Sequence, residues 1–533
     1  MPSEATSILL RGGRLATAAQ HDADSLLVEE SRIAWIGAAK DAPRADRIID
    51  LGGSRVVAGL TDAHAHLFMR AQELLNLQLG PAANSIAELL RRLRAACEAA
   101  APDEWVMSAD YSEQFLSERR HPTRDELDSV SGGRPVLLRR TGGHLSIANS
   151  AALQRAHFDE TTADPVGGTI ERTGGRLNGV LTENAADIVA ALVPPPSTGR
   201  TIAAIRKVAD ECLSYGIVAV TEAAVGFNNG FKVEWDIWNA LRGEGGVPLR
   251  MGFMLRIDPS EAREYGLAPT GVDDRWQVRT LKFFVDGIIG ARTAAFFEPY
   301  ADRNTSGLLM ESPADLRAKV IDGHACGWQL AAHVIGDRGI AHWLDCLVAA
   351  ARAWPRDDVR HRIEHFAVRG PEAVAQARAL GAVVVPQYGF LRQLGASFAE
   401  AVGDVRAERL YPGRTLRDAG ITIAGSSDHP IGPLSPYLGI AAAVDRKAAN
   451  GLVLNAGEAL TAAEALAAYT EGGAFAMGHE QRRGRIAVGQ YADLAVLDRD
   501  ILNLPPEVIE PTRARLTLVG GETVFSDGTL PAK

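Results

Sequence analysis

Two histidines separated by one residue follow an apolar segment near the start of the chain. The segment runs from Val56 to Leu67 and contains His64 and His66. Because side chains at positions i and i+2 of a strand point to the same side, both imidazoles would project together from the end of a buried strand. Two neutral imidazoles on one rigid element make half of a metal site. Two unrelated polar residues after a strand are the alternative at this point.

Further residues of metal-ligand type stand in or directly after other apolar segments. They are Lys282, His333, His365 and Asp428. A single histidine in a strand is more often structural than a ligand, but recurrence at several strand ends is not well explained that way. The pattern therefore favours a metal centre over the alternative, a polar core whose members satisfy one another.

Eight apolar segments, separated by amphipathic helical segments, must position these residues. After the opening strand, the predicted strands are Ile217–Glu222, Leu249–Ile257, Val278–Asp286, Gln329–Ile335, His361–Phe366, Ala382–Gln387 and Ile421–Ser427. Eight such units predict an α/β fold with a (β/α)8 TIM barrel, whose active site lies at the carboxyl ends of the strands. A doubly wound open sheet is the runner-up, but it would place a glycine-rich phosphate loop where the histidine pair stands.

The rest of the chain predicts two further parts. Short strands separated by turn residues occupy residues 1–57 and 484–533. Since neither end has enough strands to bury a core of its own, we expect one composite β-sandwich domain from both. The barrel then spans residues 58–483. An insertion at residues 75–200, after the first barrel strand, is expected to be a cap that lies over the barrel mouth and shapes the substrate pocket.

Composition narrows the class of protein. The 533 residues are 46% hydrophobic and 23% charged, which is typical of globular proteins. A net charge of -10 without clustered Lys and Arg disfavours nucleic-acid binding. We find no signal-peptide layout and no apolar stretch near the roughly 18 residues that span a bilayer. The four cysteines lack metal-type spacing. We expect a cytoplasmic protein with a small-molecule substrate and no nucleic-acid or membrane partner.

In combination, these motifs resemble the amidohydrolase superfamily of metal-dependent hydrolases. The similarity is sharpest at residues 286–294 (DGIIGARTA), 333–338 (HVIGDR) and 362–366 (RIEHF), and in the insertion at 143–150 and 179–185. These segments are similar to the branch that includes N-substituted formamide deformylases and YtcJ-like proteins. The resemblance covers nearly the whole chain. One departure is Ile288, where relatives usually carry a serine after Asp-Gly, and this change concerns the loop rather than a ligand.

The resemblance implies a binuclear metal site and is consistent with a homodimeric assembly. One metal would be held by His64 and His66 and another by His333 and His365, with Lys282 as a carbamylated bridge between them. Zn²⁺ is the expected metal, because imidazole and carboxylate ligands suit it and it needs no redox partner.

Lys282 leaves an alternative open. Burial beside two phenylalanines disfavours the ammonium form and lowers the pKa of the amine, which can then take up CO2. Alternatively, Lys282 is unmodified and pairs with Asp286 or Asp428. The site would then hold one metal, on His64, His66, His333 and Asp428.

Asp428 is the expected general base for a metal-activated water. The expected reaction is hydrolysis of a non-peptide C–N bond in an amide or an N-substituted formamide. The same chemistry used for deamination, for lactam or lactone opening, or on another C–C or C–O bond is the alternative. A non-catalytic binding or regulatory protein on a hydrolase scaffold is the third hypothesis.

Three residues are candidates for substrate binding. His144 and Asn149 in the insertion could bind a substrate carbonyl or carboxylate, with hydrogen bonds inside the insertion as the alternative. Arg292 could clamp a substrate anion, and its alternative is a structural salt bridge with Asp286 or Asp337.

Overall fold

The computed structural model describes residues 7–17, 23–140, 145–270 and 274–531. The chain forms two units, one from residues 1–68 with 206–533 and the other from residues 69–205. In the described part of the chain, none of the helices combines the length and the apolar character needed to cross a membrane.

A seven-stranded parallel sheet is the centre of the first unit. In chain order and in spatial order its strands are Leu60–Ala65, Ile217–Val225, Arg250–Leu255, Trp276–Phe284, Gln329–Val334, Arg362–His365 and Val383–Val385. All nine residues of Ile217–Val225 are buried, because helices and side chains cover both faces of such a sheet. This double burial is why the strands are continuous apolar runs in the sequence.

The sheet is nearly closed by residues 422–428, which lie between its two edge strands. Val384 donates to the Thr422 carbonyl at 3.1 Å, and on the other side Asp428 donates to the His64 carbonyl at 2.8 Å. The predicted eighth strand, Ile421–Ser427, is irregular backbone with one isolated bridge, Val384 to Ile423. The prediction of regular strand there is wrong, since only a few of its backbone groups pair with a neighbour.

Helices alternate with the strands. In the first unit they are Phe231–Gly243, Pro259–Glu264, Pro313–Ala325, Asp337–Ala353, Ala373–Ala379, Gly389–Val402, Asp404–Ala407, Arg414–Asp418, Pro436–Asp445, Ala462–Ala467, Gly473–Ala476 and Pro506–Ile509. Helices Leu67–Leu75 and Thr198–Ser214 each contain one of the two points along the chain at which one unit ends and the other begins. Asp337–Ala353 buries Ile340, Trp343, Leu344 and Leu347, which is the apolar stripe of a helix that packs on a sheet.

Two further sheets in the first unit come from the ends of the chain. One contains, in spatial order, Arg32–Gly37, Ser25–Glu29, Ile8–Arg11 and Arg47–Asp50, and the other Arg14–Leu15, Arg55–Ala58, Leu494–Leu497, Ala514–Val519 and Glu522–Ser526. One apolar cluster includes Leu10, Leu26 and Val56 from the first end and Leu494 and Leu516 from the other. Both ends therefore contribute to the same core.

The second unit has a five-stranded sheet of its own. In spatial order its strands are Gly168–Thr173, Arg176–Glu183, Leu145–Ala148, Val136–Arg140 and Val106–Tyr111, and its helices are Ile86–Ala99, Arg124–Ser131, Ser150–Arg155 and Asn184–Ala190. The Ser85 hydroxyl accepts from the Glu88 N–H at 3.2 Å and so caps the first of these helices.

Candidate active site

His64, His66 and Asp428 converge at the end of the first strand. Each offers a ligand atom, and these atoms lie within 4.8 Å of one another. Nε2 of His64 and Nε2 of His66 are each 3.2 Å from Oδ1 of Asp428. This oxygen is buried, yet neither contact has the geometry of a hydrogen bond. Two imidazole nitrogens and a carboxylate oxygen directed at one point fit a divalent metal such as zinc.

A buried carboxylate fixes the orientation of His64. Oε2 of Glu364 accepts from Nδ1 of His64 at 2.6 Å, and Glu364 is in turn bound by Arg362 at 2.6 and 3.1 Å. Burial opposes ionisation of Glu364, but the Arg362 guanidinium and the His64 bond hold the pKa of this carboxyl well below its usual range. With Nδ1 used as a donor, Nε2 is the basic nitrogen at the site, as in most metal-bound histidines.

Asp62 joins the first strand to the segment that carries Asp428. Its carboxylate accepts from Ser427 N at 3.1 Å and Ser427 Oγ at 2.5 Å, and from the His64 backbone N–H at 3.2 Å. Asp428 itself has a φ of +56°, a backbone conformation that non-glycine residues rarely adopt and that surrounding contacts must hold in place. Burial alone would raise the pKa of the Asp428 carboxyl, but His64 and His66 hold it well below its usual range.

His365 ends the sixth strand and is oriented by an amide. Its Nδ1 lies 2.7 Å from Oε1 of Gln387, whose Nε2 donates to the Val385 carbonyl and to Ser426 Oγ. Because that amide presents its oxygen, Nδ1 of His365 is the donor and Nε2 is left basic. The ring centroid is 5.2 Å from that of His64. Burial keeps the pKa of His365 well below its usual value.

His333, in the fifth strand, uses the opposite nitrogen. Its Nε2 donates to the Gly287 carbonyl at 3.0 Å, which leaves Nδ1 basic. Its ring centroid is 4.4 Å from that of His365. Burial and, secondarily, the Lys282 charge lower the pKa of His333 to about 4. Both imidazoles are therefore neutral at pH 7, as a metal ligand must be.

Lys282 is buried in the fourth strand, with Nζ 5.2 Å from the centroid of the Phe284 ring. Burial lowers the pKa of its amine to about 8, although the charges of Glu364 and Asp428 oppose this shift. The alternative, a pairing with Asp286, is not found: that carboxylate accepts from three backbone N–H groups at 2.8–2.9 Å, in residues 295, 335 and 336. Within the described residues, Lys282 has no ion pair with Asp428 either.

His144, Asn149 and Arg292 are the residues predicted to bind substrate. His144 lies outside the described residues. Asn149 caps the helix Ser150–Arg155, and all its polar atoms are used inside its own unit, by Val136 N, Ala152 N, Ser131 Oγ and Arg134 O. Asn149 thus has the hydrogen bonds within the insertion that were the alternative to substrate binding. These contacts do not support its predicted role in substrate binding.

Arg292 pairs with neither of its predicted salt-bridge partners. Its guanidinium binds Asp302 through Nη2 and, at 3.0 Å, through Nε, and Nη1 donates to the Ile289 and Gly290 carbonyls. The expected pairing with Asp286 or Asp337 is wrong, because loop closure brings Asp302 to this arginine. The N–H groups of Arg292 are therefore used in hydrogen bonds within its own loop.

Two phenylalanines line the histidine cluster. The Phe227 ring centroid is 5.9 Å from His66 and 5.4 Å from Phe284, which in turn is 5.4 Å from His333. Phe227 is 42% exposed. Arg256 follows the third strand directly, and its guanidinium carbon lies 5.6 Å from the Phe227 centroid and 5.5 Å from that of Phe284.

Sequence reasoning missed Glu364, Gln387 and Arg256 as site residues. Arg362 and Glu364 share a face of the sixth strand, and a buried charge pair two residues apart was an available signal. Gln387 ends a predicted strand, as the ligands do. For Arg256, its position near the carboxyl end of the predicted strand Leu249–Ile257 was the only signal.

Comparison with known proteins agrees with this geometry. A family model described as the amidohydrolase family matches residues 47–525. The chain is 28% identical to an N-substituted formamide deformylase of Arthrobacter pascens, over 94% of each chain. It is also 28% identical to the YtcJ protein of Bacillus subtilis (strain 168), an amidohydrolase by name, over 90% of each.

A solved structure has the same fold. It is a metal-dependent hydrolase from Pyrococcus furiosus, described as uncharacterized, with 25% identity and a TM-score of 0.74 over 93% of this chain and 100% of that chain. The family model covers most of the chain and includes every residue of the histidine cluster. This chain belongs to the amidohydrolase family.

Proposed function

We propose that this protein hydrolyses a non-peptide C–N bond in an amide or an N-substituted formamide, with a divalent metal at the histidine cluster. The observation that carries the proposal is the convergence of two imidazole nitrogens on the buried Oδ1 of Asp428, at 3.2 Å each. The similarity to an N-substituted formamide deformylase supports the choice of bond.

Zn²⁺ is the proposed metal, held by His64, His66 and Asp428, and a second ion would be held by His333 and His365. Two neutral imidazoles alone are an incomplete ligand set for a divalent cation, so the second ion needs an anionic ligand. Lys282 can supply it: its neutral amine adds to CO2, forms an N–C bond and releases one proton, which leaves a carbamate. The lowered pKa of Lys282, and the lack of an ion pair to it among the described residues, support this role.

When bound, a metal of this kind supplies a nucleophilic water at neutral pH and polarises the scissile carbonyl. The chain contributes the proton transfers. The ionised Asp428 carboxylate takes a proton from the attacking water and donates it to the leaving nitrogen, so that water's oxygen joins the carbonyl carbon and the C–N bond breaks. Glu364 holds His64 in one tautomer throughout, through the 2.6 Å bond to Nδ1.

Metal analysis and activity on a substrate panel test the proposal. The panel pairs N-substituted formamides and simple amides with amino-heterocycles and lactones. We expect bound divalent metal, loss of activity on chelation, and release of an amine with a carboxylic acid. Release of ammonia from the heterocycles alone would show deamination instead. Protein that binds no divalent metal, and whose activity survives chelation, would refute the proposal.

The carbamate has a separate test. Metal-free protein reconstituted with Zn²⁺ in CO2-free buffer should take up less metal than protein reconstituted with bicarbonate. In Lys282→Met the bicarbonate effect should disappear. Equal uptake in both buffers by the unmodified sequence would favour the site with one metal.

A further inference from the structure

Arg256 stands at the mouth of the candidate site and is held there by aromatic rings. It directly follows the third strand, Arg250–Leu255, and its backbone N–H donates to the Val225 carbonyl at 2.9 Å. This places it at the carboxyl ends of the parallel strands, the edge at which the histidines lie. Its guanidinium lies over Phe227 and Phe284, which contact His66 and His333 respectively.

The donors of Arg256 are largely unused. Its side chain is exposed, and its hydrogen bond to the Gly226 carbonyl, from Nη1, is long at 3.5 Å. Among the described residues no carboxylate pairs with it. Arg292 is the opposite case, since Asp302 and two carbonyls occupy its guanidinium. Stacking on a ring uses the face of a guanidinium and leaves the N–H groups at its edge free to donate.

We infer that Arg256 binds a carboxylate carried by the substrate, away from the bond that is cleaved. The inference rests on the proposed function and deepens it: the substrate class is an amide or N-substituted formamide with an anionic group and an apolar portion. Phe227 is 42% exposed and offers the surface for that apolar portion. A guanidinium binds a carboxylate through two parallel hydrogen bonds, so a neutral isostere of the substrate loses this contact.

Binding without turnover tests the inference. The probes are N-formylphenylalanine and its neutral N-methylamide, titrated calorimetrically into the metal-loaded Asp428→Asn protein. In that background we compare Arg256→Gln, Arg256→Lys and a control, Arg242→Gln. Arg242 is also an exposed arginine of the same unit stacked on a ring, 5.7 Å from the Trp276 centroid.

We expect Arg256→Gln to weaken binding of the acid by about 10- to 100-fold, as for loss of a charged hydrogen bond. Binding of the methylamide should change less than about twofold. Arg256→Lys should retain part of the preference for the acid, and Arg242→Gln should retain all of it. Three results would overturn the inference. They are failure of the acid to bind, equal affinity for both probes before substitution, and an equal loss of affinity for both probes in Arg256→Gln.

The two proposals fail separately. Protein that contains metal and hydrolyses amides but shows no Arg256-dependent preference for the acid would refute only the carboxylate site. Protein without metal or amide hydrolysis would refute the proposed function, whatever Arg256 binds.

Discussion

Two groups of buried histidines in this protein use their ring nitrogens in different ways. His324 and His361 form a pair, with Nδ1 of the first 2.8 Å from Nε2 of the second. Nδ1 of His361 accepts from the Leu330 N–H at 3.0 Å, and Nε2 of His324 donates to the Trp354 carbonyl at 2.7 Å. Other protein groups occupy all four nitrogens, so the pair has no atom for a ligand.

Three of the four histidines at the candidate site are only half satisfied. His64, His333 and His365 each bind one protein oxygen, from a carboxylate, a carbonyl and an amide. In the described part of the chain, the second nitrogen of His333 and of His365 has no hydrogen-bond partner, and that of His64 is directed at Asp428. One fixed nitrogen sets the tautomer, and one free nitrogen makes the ligand. Burial and residue type alone do not separate a metal site from a structural pair.

The largest expected effect is on activity, from Asp428→Asn. It removes the proton acceptor and retains the shape of the side chain, so we expect turnover to fall about 10²- to 10⁴-fold. Because Asp428 is also a proposed metal ligand, turnover is compared at equal zinc content, and the unfolding midpoint of the metal-free protein should stay unchanged. The matched control is Asp418→Asn, whose side chain is 66% exposed at the protein surface and which should have full activity. Activity of the Asp428 variant within tenfold of the original would contradict the assignment of the base.

Alanine at one histidine of each group tests the comparison directly. His365→Ala should lower metal content, measured by elemental analysis, because it removes a free ligand nitrogen. His361→Ala should leave metal content unchanged and lower the free energy of unfolding by roughly 1–3 kcal/mol, because it leaves the buried Leu330 N–H without a partner. Urea unfolding of the metal-free proteins measures the second effect. If both variants lose the same amount of metal, the distinction between the groups is wrong.

The smallest effect is a pH dependence of stability that comes from the His324–His361 pair. Burial, with secondary contributions from neighbouring charges, lowers the pKa of both rings, most strongly that of His361. The unfolded chain, with histidine pKa values of about 6.5, then binds more protons than the folded protein at lower pH. The stability this pair confers is therefore complete above pH ~6.5 and is lost as the pH falls towards the folded pKa values.

The measurement is the difference in unfolding free energy between the unmodified protein and His361→Gln. This difference should shrink by roughly 1 kcal/mol per pH unit below pH ~6.5. A difference that is constant between pH 7.5 and 5.5 would show that the pair is not held neutral in the folded protein.

Much of the fold and part of the site could be predicted from the sequence. The parallel strands were recognisable because double burial makes each one an apolar run. The prediction of a regular eighth strand was wrong, since the apolar character of residues 421–427 indicates burial and not regular pairing. Arg292 was assigned false partners because Asp302 reaches it only through the closure of its own loop.

The sequence by itself determined the residue types of the candidate site and their places at strand ends. Those properties are local: the two-residue period of a strand brings His64 and His66 to one face. Only the tertiary structure decided which atom of each residue is used. Glu364 lies 300 positions from His64 along the chain and binds its Nδ1, and this contact depends on where neighbouring strands place their ends. The same holds for Arg256 and Arg292, since a guanidinium becomes available to a substrate only where the fold brings no carboxylate to it.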